Sequence, residues 1–169
     1  LVGHSMGGWI AAEIAIRSTT KAKSLTLISS AGIHVKGVPK GDLFLWSPEE
    51  LIQNLYFNKE IINEMLSYEP TSDELEIMVK NRVATARYAW QPRLYNPDLS
   101  KWLHRIKIPT LILWGDQDKI FPSEYANKFK EMIPHAQLEI LNQCGHIPQI
   151  DQPDTFYTRL RKFLAEASS

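Results

Sequence analysis

The chain has 169 residues, which is enough for one domain with a sizeable core. Nineteen basic side chains balance nineteen acidic ones, so the composition favours neither a nucleic acid nor an anionic membrane as a partner. Cys144 is the one cysteine, which excludes an intramolecular disulfide and a cysteine-based metal cluster. A reducing compartment fits this composition, and the apolar runs are much shorter than a membrane span. We therefore expect a cytoplasmic protein with no metal, nucleic-acid or membrane partner.

The first eight residues, LVGHSMGG, have the pattern of a strand end, a sharp turn and a helix start. Ser5 lies between Gly3 and Gly7 in a G-x-S-x-G motif, which in this context predicts a strained bend that exposes the serine hydroxyl above a parallel sheet. We expect both glycines to be required because a Cβ would obstruct the passage of the helix past the strand. A phosphate-binding loop is disfavoured, since no lysine precedes the serine and no G-x-G-x-x-G is present.

The next elements predict a strand-helix-strand unit over residues 1–33. Residues 6–17 interleave isoleucines and Trp9 with alanines, which is typical of a helix buried against a sheet. Residues 24–29 then predict a buried strand that ends in a turn at Ala31-Gly32. This order implies a parallel sheet with right-handed crossovers, and we assign it to the core.

Residues 34–97 interrupt the alternation and predict a helical insertion, which we interpret as a lid. Ser47-Pro48-Glu49-Glu50 combines an N-cap serine, a proline and a glutamate at the third helical position, and therefore predicts a helix start. Thr71-Ser72-Asp73-Glu74 repeats this arrangement. The apolar residues after it mark one helical face, which we expect to pack mostly against other helices: Leu75, Met78, Val79, Val83, Ala86 and Trp90.

Residues 98–169 return to alternating elements and form the second predicted core segment. In order, the sequence predicts a short helix, a strand, a helix, a strand and a closing helix, over residues 99–106, 110–114, 122–132, 136–141 and from 153 onward. The second of these strands alternates apolar and polar residues, which is typical of a sheet edge. The closing helix has one apolar face, formed by Phe156, Leu160, Phe163 and Leu164.

Candidate catalytic partners for Ser5 follow two of the predicted strands. A serine hydroxyl is a weak nucleophile unless a base removes its proton and a carboxylate orients that base. Asp116 and Asp118 follow one strand and His146 follows the next, so both motifs should lie at the same sheet edge as Ser5. The order serine, aspartate, histidine also matches a hydrolase template. We expect His4 to be a packing residue of the turn.

Three motifs together resemble the α/β-hydrolase fold family, in its group of capped hydrolases with a serine nucleophile. They are GHSMGG at residues 3–8, PTLILWGDQDKIFP at 109–122, and CGHIP at 144–148 with Gln152-Pro153 after it. The resemblance covers essentially the whole chain. It implies an α/β fold, namely the C-terminal part of an α/β-hydrolase, with a parallel sheet, helices on both of its faces and an inserted helical lid.

The resemblance also implies a role for individual residues. Ser5 would be the nucleophile, His146 the general base and then the general acid, and Asp118 the orienting carboxylate. The family places the acid three residues after a glycine and four before a proline, which selects Asp118 over Asp116. The backbone N–H of Met6 would be one oxyanion donor, and in this family the other comes from a loop after an earlier strand.

The implied activity is hydrolysis of an ester-type carbonyl in a small acyl substrate: a carboxylic ester, a thioester or a lactone. Hydrolysis of carbon–carbon bonds and other triad chemistry on the same fold stay open, as does a non-catalytic binding module or inactive fragment. Dehalogenases and epoxide hydrolases are disfavoured because they need a carboxylate in place of Ser5. No cofactor is implied. Trp46, Trp90 and Ile147 are expected to line the substrate pocket, although core packing is an alternative for both tryptophans.

The chain starts at Leu1 inside the strand that leads to Ser5, from which we expect the C-terminal part of a longer protein. Its partner would then be the missing N-terminal part, which would supply the second oxyanion donor. Without that part, the strand before Ser5 would become an exposed edge that can self-associate. We also expect the isolated chain to be a poor catalyst.

Overall fold

A four-stranded parallel sheet forms the centre of the computed structural model, which describes residues 1–18 and 20–167. Residues 19, 168 and 169 of the predicted core segments lie outside the described residues. The strands pair in the order in which they occur in the chain: β1 (Val2–His4), β2 (Leu25–Ile28), β3 (Thr110–Gly115) and β4 (Gln137–Leu141). This arrangement confirms the expected α/β class and places β4 at an edge of the sheet.

The described residues contain eight helices: α1 (Met6–Arg17), α2 (Pro48–Leu55), α3 (Lys59–Ser67), α4 (Ser72–Ala89), α5 (Leu99–Trp102), α6 (Glu124–Met132), α7 (Pro148–Asp151) and α8 (Pro153–Glu166). A 3-10 turn, Leu103–Arg105, extends α5. The bounds of α1 are those predicted from its apolar pattern, whereas α3 and α7 were not predicted individually. No helix in this part of the chain has both the length and the apolar composition to span a lipid bilayer.

Strand β3 shows why the sheet is covered on both faces. All of its residues are buried, and successive side chains of a strand point to opposite faces. Leu111 and Leu113 join the cluster that includes Phe156 and Phe163 of α8. The alternate residues, Ile112 and Trp114, join the larger cluster that includes side chains of α1 and α6. Helices therefore pack against the sheet from both sides, as the α/β-hydrolase resemblance implies.

The long connection between β2 and β3 contains α2, α3 and α4, and its two predicted helix starts are confirmed. At α2, Glu50 N–H donates to Ser47 Oγ (3.2 Å) and Ser47 N–H donates to Glu50 Oε2 (2.8 Å). Thr71 and Glu74 make the same reciprocal pair at the start of α4. Each pair satisfies two backbone donors that the first helical turn leaves without partners, so these short motifs fix where the helices begin.

The apolar face of α4 is not packed as expected. Four side chains that we expected to be covered are 48% to 62% exposed: Leu75, Met78, Val79 and Val83. Trp90 is 47% exposed. The helix is anchored instead at its C-terminal end, where Ala89 is buried and the Trp90 ring lies 5.4 Å from that of Phe44. The expectation was wrong because helical spacing defines a face but does not determine which element covers it.

Strand β1 forms the other edge of the described sheet, and Val2 on it is 55% exposed. We propose that this edge pairs between copies of the chain, because unpaired strand N–H and C=O groups bind other strands. Val2→Lys should therefore shift the chain toward a monomer in sedimentation equilibrium, since an edge lysine opposes pairing. Ile77→Lys, at an equally exposed position on α4, is the matched control. A monomeric wild-type chain, or dissociation by Ile77→Lys alone, would contradict the proposal.

Candidate active site

Ser5 occupies a strained turn between β1 and α1. Its backbone has φ 53° and ψ −119°, a positive φ that is uncommon for a residue with a Cβ. Its N–H donates to Ile28 O at the end of β2 (2.9 Å), and its carbonyl accepts from Gly8 N–H and Ala31 N–H (both 3.0 Å). The turn is thus held by α1 and by the chain at the end of β2.

The glycines around Ser5 have different roles. A Cβ at Gly3 would collide with the carbonyl group of Gly7, and a Cβ at Gly8 would collide with the Ser30 side chain. A Cβ at Gly7 would meet none of the described atoms within 4 Å. The expected steric requirement is therefore confirmed for Gly3 and wrong for Gly7, because the backbone of Gly7, rather than the space beside its Cα, faces the strand. Gly8 is the second glycine required by close approach.

His146 and Asp118 form a buried hydrogen-bonded pair at the carboxyl ends of β4 and β3. His146 Nδ1 lies 2.8 Å from Asp118 Oδ2, and the two residues are 2% and 4% exposed. Asp118 Oδ1 accepts from Ile120 N–H (2.8 Å) and Phe121 N–H (2.9 Å), so both carboxylate oxygens are engaged. Because an ionised carboxylate only accepts, Nδ1 carries the proton, and Nε2 of a neutral ring is left free to accept one.

Asp116 lies close to this pair but makes a different contact. Its Oδ1 accepts from Cys144 N–H (3.2 Å), and Gln117 N–H donates to Cys144 O (2.9 Å). The structure therefore brings Asp118, and not Asp116, onto His146. Cys144 itself is buried. Its burial is the main cause, and the nearby aspartates a smaller one, of a thiol pKa raised to about 12, so this side chain stays an uncharged packing group.

His4 links the serine turn to the loop that carries His146. Its Nε2–H donates to His146 O (2.8 Å), and the two rings are 4.9 Å apart. Burial first, and then the neighbouring His146, lowers the pKa of His4 to about 4, so the ring is neutral near pH 7. This packing role is the one that we expected for His4, and the contact places the residue before Ser5 directly against His146.

Asp151 is a buried carboxylate of this site that the sequence analysis missed. Its Oδ2 accepts from Gly145 N–H (2.7 Å) and Phe57 N–H (3.0 Å), and its Oδ1 accepts from Asn58 N–H (3.2 Å). The available signal was an acidic residue in the turn between His146 and the proline that begins α8. Spacing alone gave no reason to separate it from an ordinary residue of the first helical turn.

The remaining predicted site residues lie around this centre. Met6 begins α1, and within the described residues no acceptor is found for its N–H, as is usual in a first helical turn. Trp46 packs against the larger core cluster, whereas Trp90 contacts Phe44 and lies under the Arg93 guanidinium. Ile147 directly follows His146 and is half-buried. A pocket role for Trp46, Trp90 and Ile147 stays a prediction.

An apolar groove of about 550 Å³ runs along α1 from Met6 to Arg17. Trp9, Ile10 and Ile14 line it, but the three predicted pocket residues do not.

Within residues 1–18 and 20–167, no group of three or more histidine, cysteine, aspartate or glutamate side chains is placed to hold a metal ion.

Comparison with known proteins shows a match to the family model described as serine aminopeptidase, S33, over residues 1–153. Lipase 1 of Psychrobacter immobilis is 32% identical over 161 residues, which cover 90% of this chain and 51% of that protein. A 2-hydroxymuconate semialdehyde hydrolase of Pseudomonas sp. (strain CF600) is 27% identical over 186 residues, which cover 100% of this chain and 62% of that protein. The chain thus spans between half and two thirds of the length of these relatives.

Solved structures show the same relationship. The CarC serine hydrolase involved in carbazole degradation has a TM-score of 0.73 at 27% identity, with 97% of this chain and 62% of that chain covered. The lipase candidate lip1 from Acinetobacter baumannii AYE has a TM-score of 0.65 at 30% identity, with 99% of this chain and 60% of that chain covered.

The geometry of the turn predicts opposite effects for two glycine substitutions. Gly3→Ala should lower the free energy of unfolding by about 3 kcal/mol or more, because its methyl group meets backbone that cannot move away. Gly7→Ala should be neutral or stabilise by up to about 1 kcal/mol, since alanine is the better helix former. Urea denaturation measures both. Equal losses, or a larger loss for Gly7→Ala, would contradict the account.

The His4 contact predicts a pH-dependent stability. An unfolded histidine takes up a proton as the pH falls below about 6.5, whereas folded His4 does so only near 4, so the free energy of unfolding should fall across this window by up to about 3 kcal/mol. His4→Gln keeps an N–H donor without titrating and should flatten this part of the profile.

The control for this experiment is His104→Gln, at an exposed histidine. It should retain the wild-type profile in urea denaturation between pH 7 and pH 4. If His4→Gln showed the same pH dependence as the wild type, the neutral, buried state of His4 would be wrong.

Proposed function

The chain belongs to the serine aminopeptidase S33 family, and we propose that it is a serine hydrolase acting on an ester-type carbonyl through Ser5, His146 and Asp118. The observation that carries this proposal is the buried 2.8 Å contact between His146 Nδ1 and Asp118 Oδ2, at the same sheet edge as the strained Ser5. The similarity to a lipase and to other serine hydrolases supports this class of reaction.

In the proposed reaction, Ser5 Oγ attacks the substrate carbonyl carbon while His146 Nε2 takes the hydroxyl proton. The imidazolium that forms is stabilised by Asp118, whose Oδ1 is held by two backbone N–H groups and therefore stays oriented. The tetrahedral intermediate collapses when His146 returns the proton to the leaving alcohol. Water activated by His146 then attacks the acyl group on Ser5, and release of the carboxylic acid regenerates the hydroxyl.

Met6 is the proposed oxyanion donor. Its N–H lies in the first turn of the twelve-residue helix α1, where it has no acceptor among the described residues and the helix dipole favours negative charge. A donor that meets the developing oxyanion stabilises the transition state more than the uncharged carbonyl of the substrate. In the proposed transition state, the negative charge of the oxyanion lies at the N-terminus of α1 and the positive charge lies on His146.

We also propose that residues 34–97 act as a lid whose contacts reach the histidine loop, defined as residues 142–147 between β4 and α7. Leu55 O accepts from His146 N–H (2.8 Å), and Phe57 N–H donates to Asp151. A segment that touches the backbone of His146 is suitably placed to cover the substrate. Trp46 and Trp90 within this lid, and Ile147 beside His146, are proposed as pocket residues.

Carbon–carbon bond hydrolysis is the second candidate, and the similarity over the full chain to 2-hydroxymuconate semialdehyde hydrolase favours it. Both reactions use a serine, a histidine and an aspartate on this fold, so the triad does not distinguish them. The distinguishing test is a comparison of kcat/KM for p-nitrophenyl esters of increasing chain length with that for 2-hydroxymuconate semialdehyde. A preference for the semialdehyde would select the second candidate.

Labelling with a fluorophosphonate probe tests the proposed nucleophile. The chain should be labelled, and Ser5→Ala should not be, while circular dichroism shows that the variant is folded. Asp118→Asn should lose labelling and lower ester hydrolysis by roughly 10⁴-fold, because the asparagine neither holds the neutral imidazole in the required tautomer nor stabilises the imidazolium that forms. Asp116→Asn is the matched control and should retain most activity. Equal labelling of Ser5→Ala and the wild type, or exchanged effects of the two asparagine variants, would contradict the proposal.

A further inference from the structure

Asp151, at the end of α7, bridges two segments that are distant in the sequence. It is 8% exposed, and it accepts hydrogen bonds from Gly145, beside His146, and from Phe57 and Asn58 in the connection between α2 and α3. Gly145 is 88 positions from Phe57 and 87 from Asn58 along the chain. One side chain thus joins the histidine loop to the α2–α3 connection, defined as residues 55–58.

The charge of this carboxylate is balanced by backbone groups. Within the described residues, no lysine, arginine or histidine lies within ion-pair distance of it. Phe57 and Asn58 directly precede the nine-residue helix α3, of which Asn58 is the N-cap, so the carboxylate lies beside the helix N-terminus, where the helix dipole favours negative charge. The buried carboxylate is therefore stabilised by these backbone N–H groups. If the carboxylate is removed, the two segments lose their shared hydrogen-bond acceptor.

The two segments are also packed too closely to move independently. His146 N–H donates to Leu55 O (2.8 Å), and a Cβ at Gly145 would lie 2.7 Å from the same oxygen. That Cβ would also lie 2.9 Å from Asp151 Oδ2. On the other side, a Cβ at Gly115 at the end of β3 would collide with Gly145 O, so the backbone at residue 145 is confined between β3 and the α2–α3 connection.

We infer that Asp151 is a positioning residue, which holds the backbone of His146 so that its Nδ1 meets Asp118 and which ties that position to the α2–α3 connection. The inference rests on the proposed function only in naming His146 the catalytic base. It couples the insertion to the triad, because a movement of residues 55–58 and a movement of the histidine loop share one set of hydrogen bonds. Loss of the carboxylate would loosen both segments together.

The test uses the full chain and the Asp151→Asn variant. The side chain keeps its size, but its NH₂ group now faces backbone donors, so the amides of Gly145, Phe57 and Asn58 should exchange with solvent roughly 10- to 100-fold faster. The far-downfield proton resonance of His146 Nδ1–H, which reports the bond to Asp118, should broaden or disappear. Ester hydrolysis, where it is measured, should lose roughly 10²-fold in kcat, with a smaller change in KM.

Asp154→Asn is the matched control, because Asp154 is an exposed aspartate in the first turn of α8. It should leave the Nδ1–H resonance and the three amide exchange rates at their wild-type values. A folded Asp151→Asn variant with an unchanged resonance and unchanged exchange rates would overturn the inference, as would an equal effect of Asp154→Asn. Absence of hydrolysis in the wild type would count against the proposed function alone, since the two spectroscopic readouts need no turnover.

If Asp151→Asn does not fold, the wild-type chain still tests the inference. The three amides should share one opening free energy in native-state hydrogen exchange, because they are bonded to a single carboxylate. The Nδ1–H resonance should weaken on warming over the same range in which their protection is lost. Opening of Gly145 separately from Phe57 and Asn58 would overturn the inference.

Discussion

The close approach of α1 to β1 at Gly3 is the constraint on which the rest of the site depends. Because no side chain separates the strand from the first turn of the helix, the residue between them must turn sharply, and Ser5 adopts a positive φ. The cost of this conformation is offset by hydrogen bonds from its backbone to Ile28, Gly8 and Ala31. The end of β2 is therefore as much a part of the serine turn as the glycines are.

The loop that carries His146 is fixed by contacts from three directions, each with a different physical basis. Asp118 holds the imidazole by a buried charged hydrogen bond, and His4 donates to the backbone carbonyl of His146. Asp151 binds the preceding amide together with the α2–α3 connection. None of these contacts uses a mobile surface ion pair, so the histidine is held by buried groups with defined partners. A base held in this way is suited to the proton transfers proposed for it.

Local rules of the sequence predicted the framework well. The bounds of α1 and the starts of α2 and α4 follow from apolar spacing and from capping residues, both of which act within one or two turns. The pairing of His146 with Asp118 rather than Asp116 agrees with the spacing of the family motif. The helix bounds and starts could be predicted because each is specified by neighbouring residues, whereas the pairing of His146 with Asp118 was implied by the family resemblance.

Features that depend on distant neighbours could not be predicted in the same way. Gly7 was expected to be sterically required, but which glycine faces the strand depends on the direction in which the helix leaves. The α4 face was expected to be covered, but amphipathic spacing does not say which element lies against it. Asp151 was missed because its partners Phe57 and Asn58 are more than 90 residues away, and only the folded chain brings them together.

The central claim is that the serine turn, the His146–Asp118 pair and the Met6 N–H form one catalytic centre. A crystal structure of the chain after reaction with a fluorophosphonate tests it most directly. The account predicts phosphorus bonded to Ser5 Oγ, with a phosphonyl oxygen within hydrogen-bond distance of Met6 N and His146 Nε2 facing the adduct. An adduct on another residue, or a phosphonyl oxygen directed away from Met6, would contradict it.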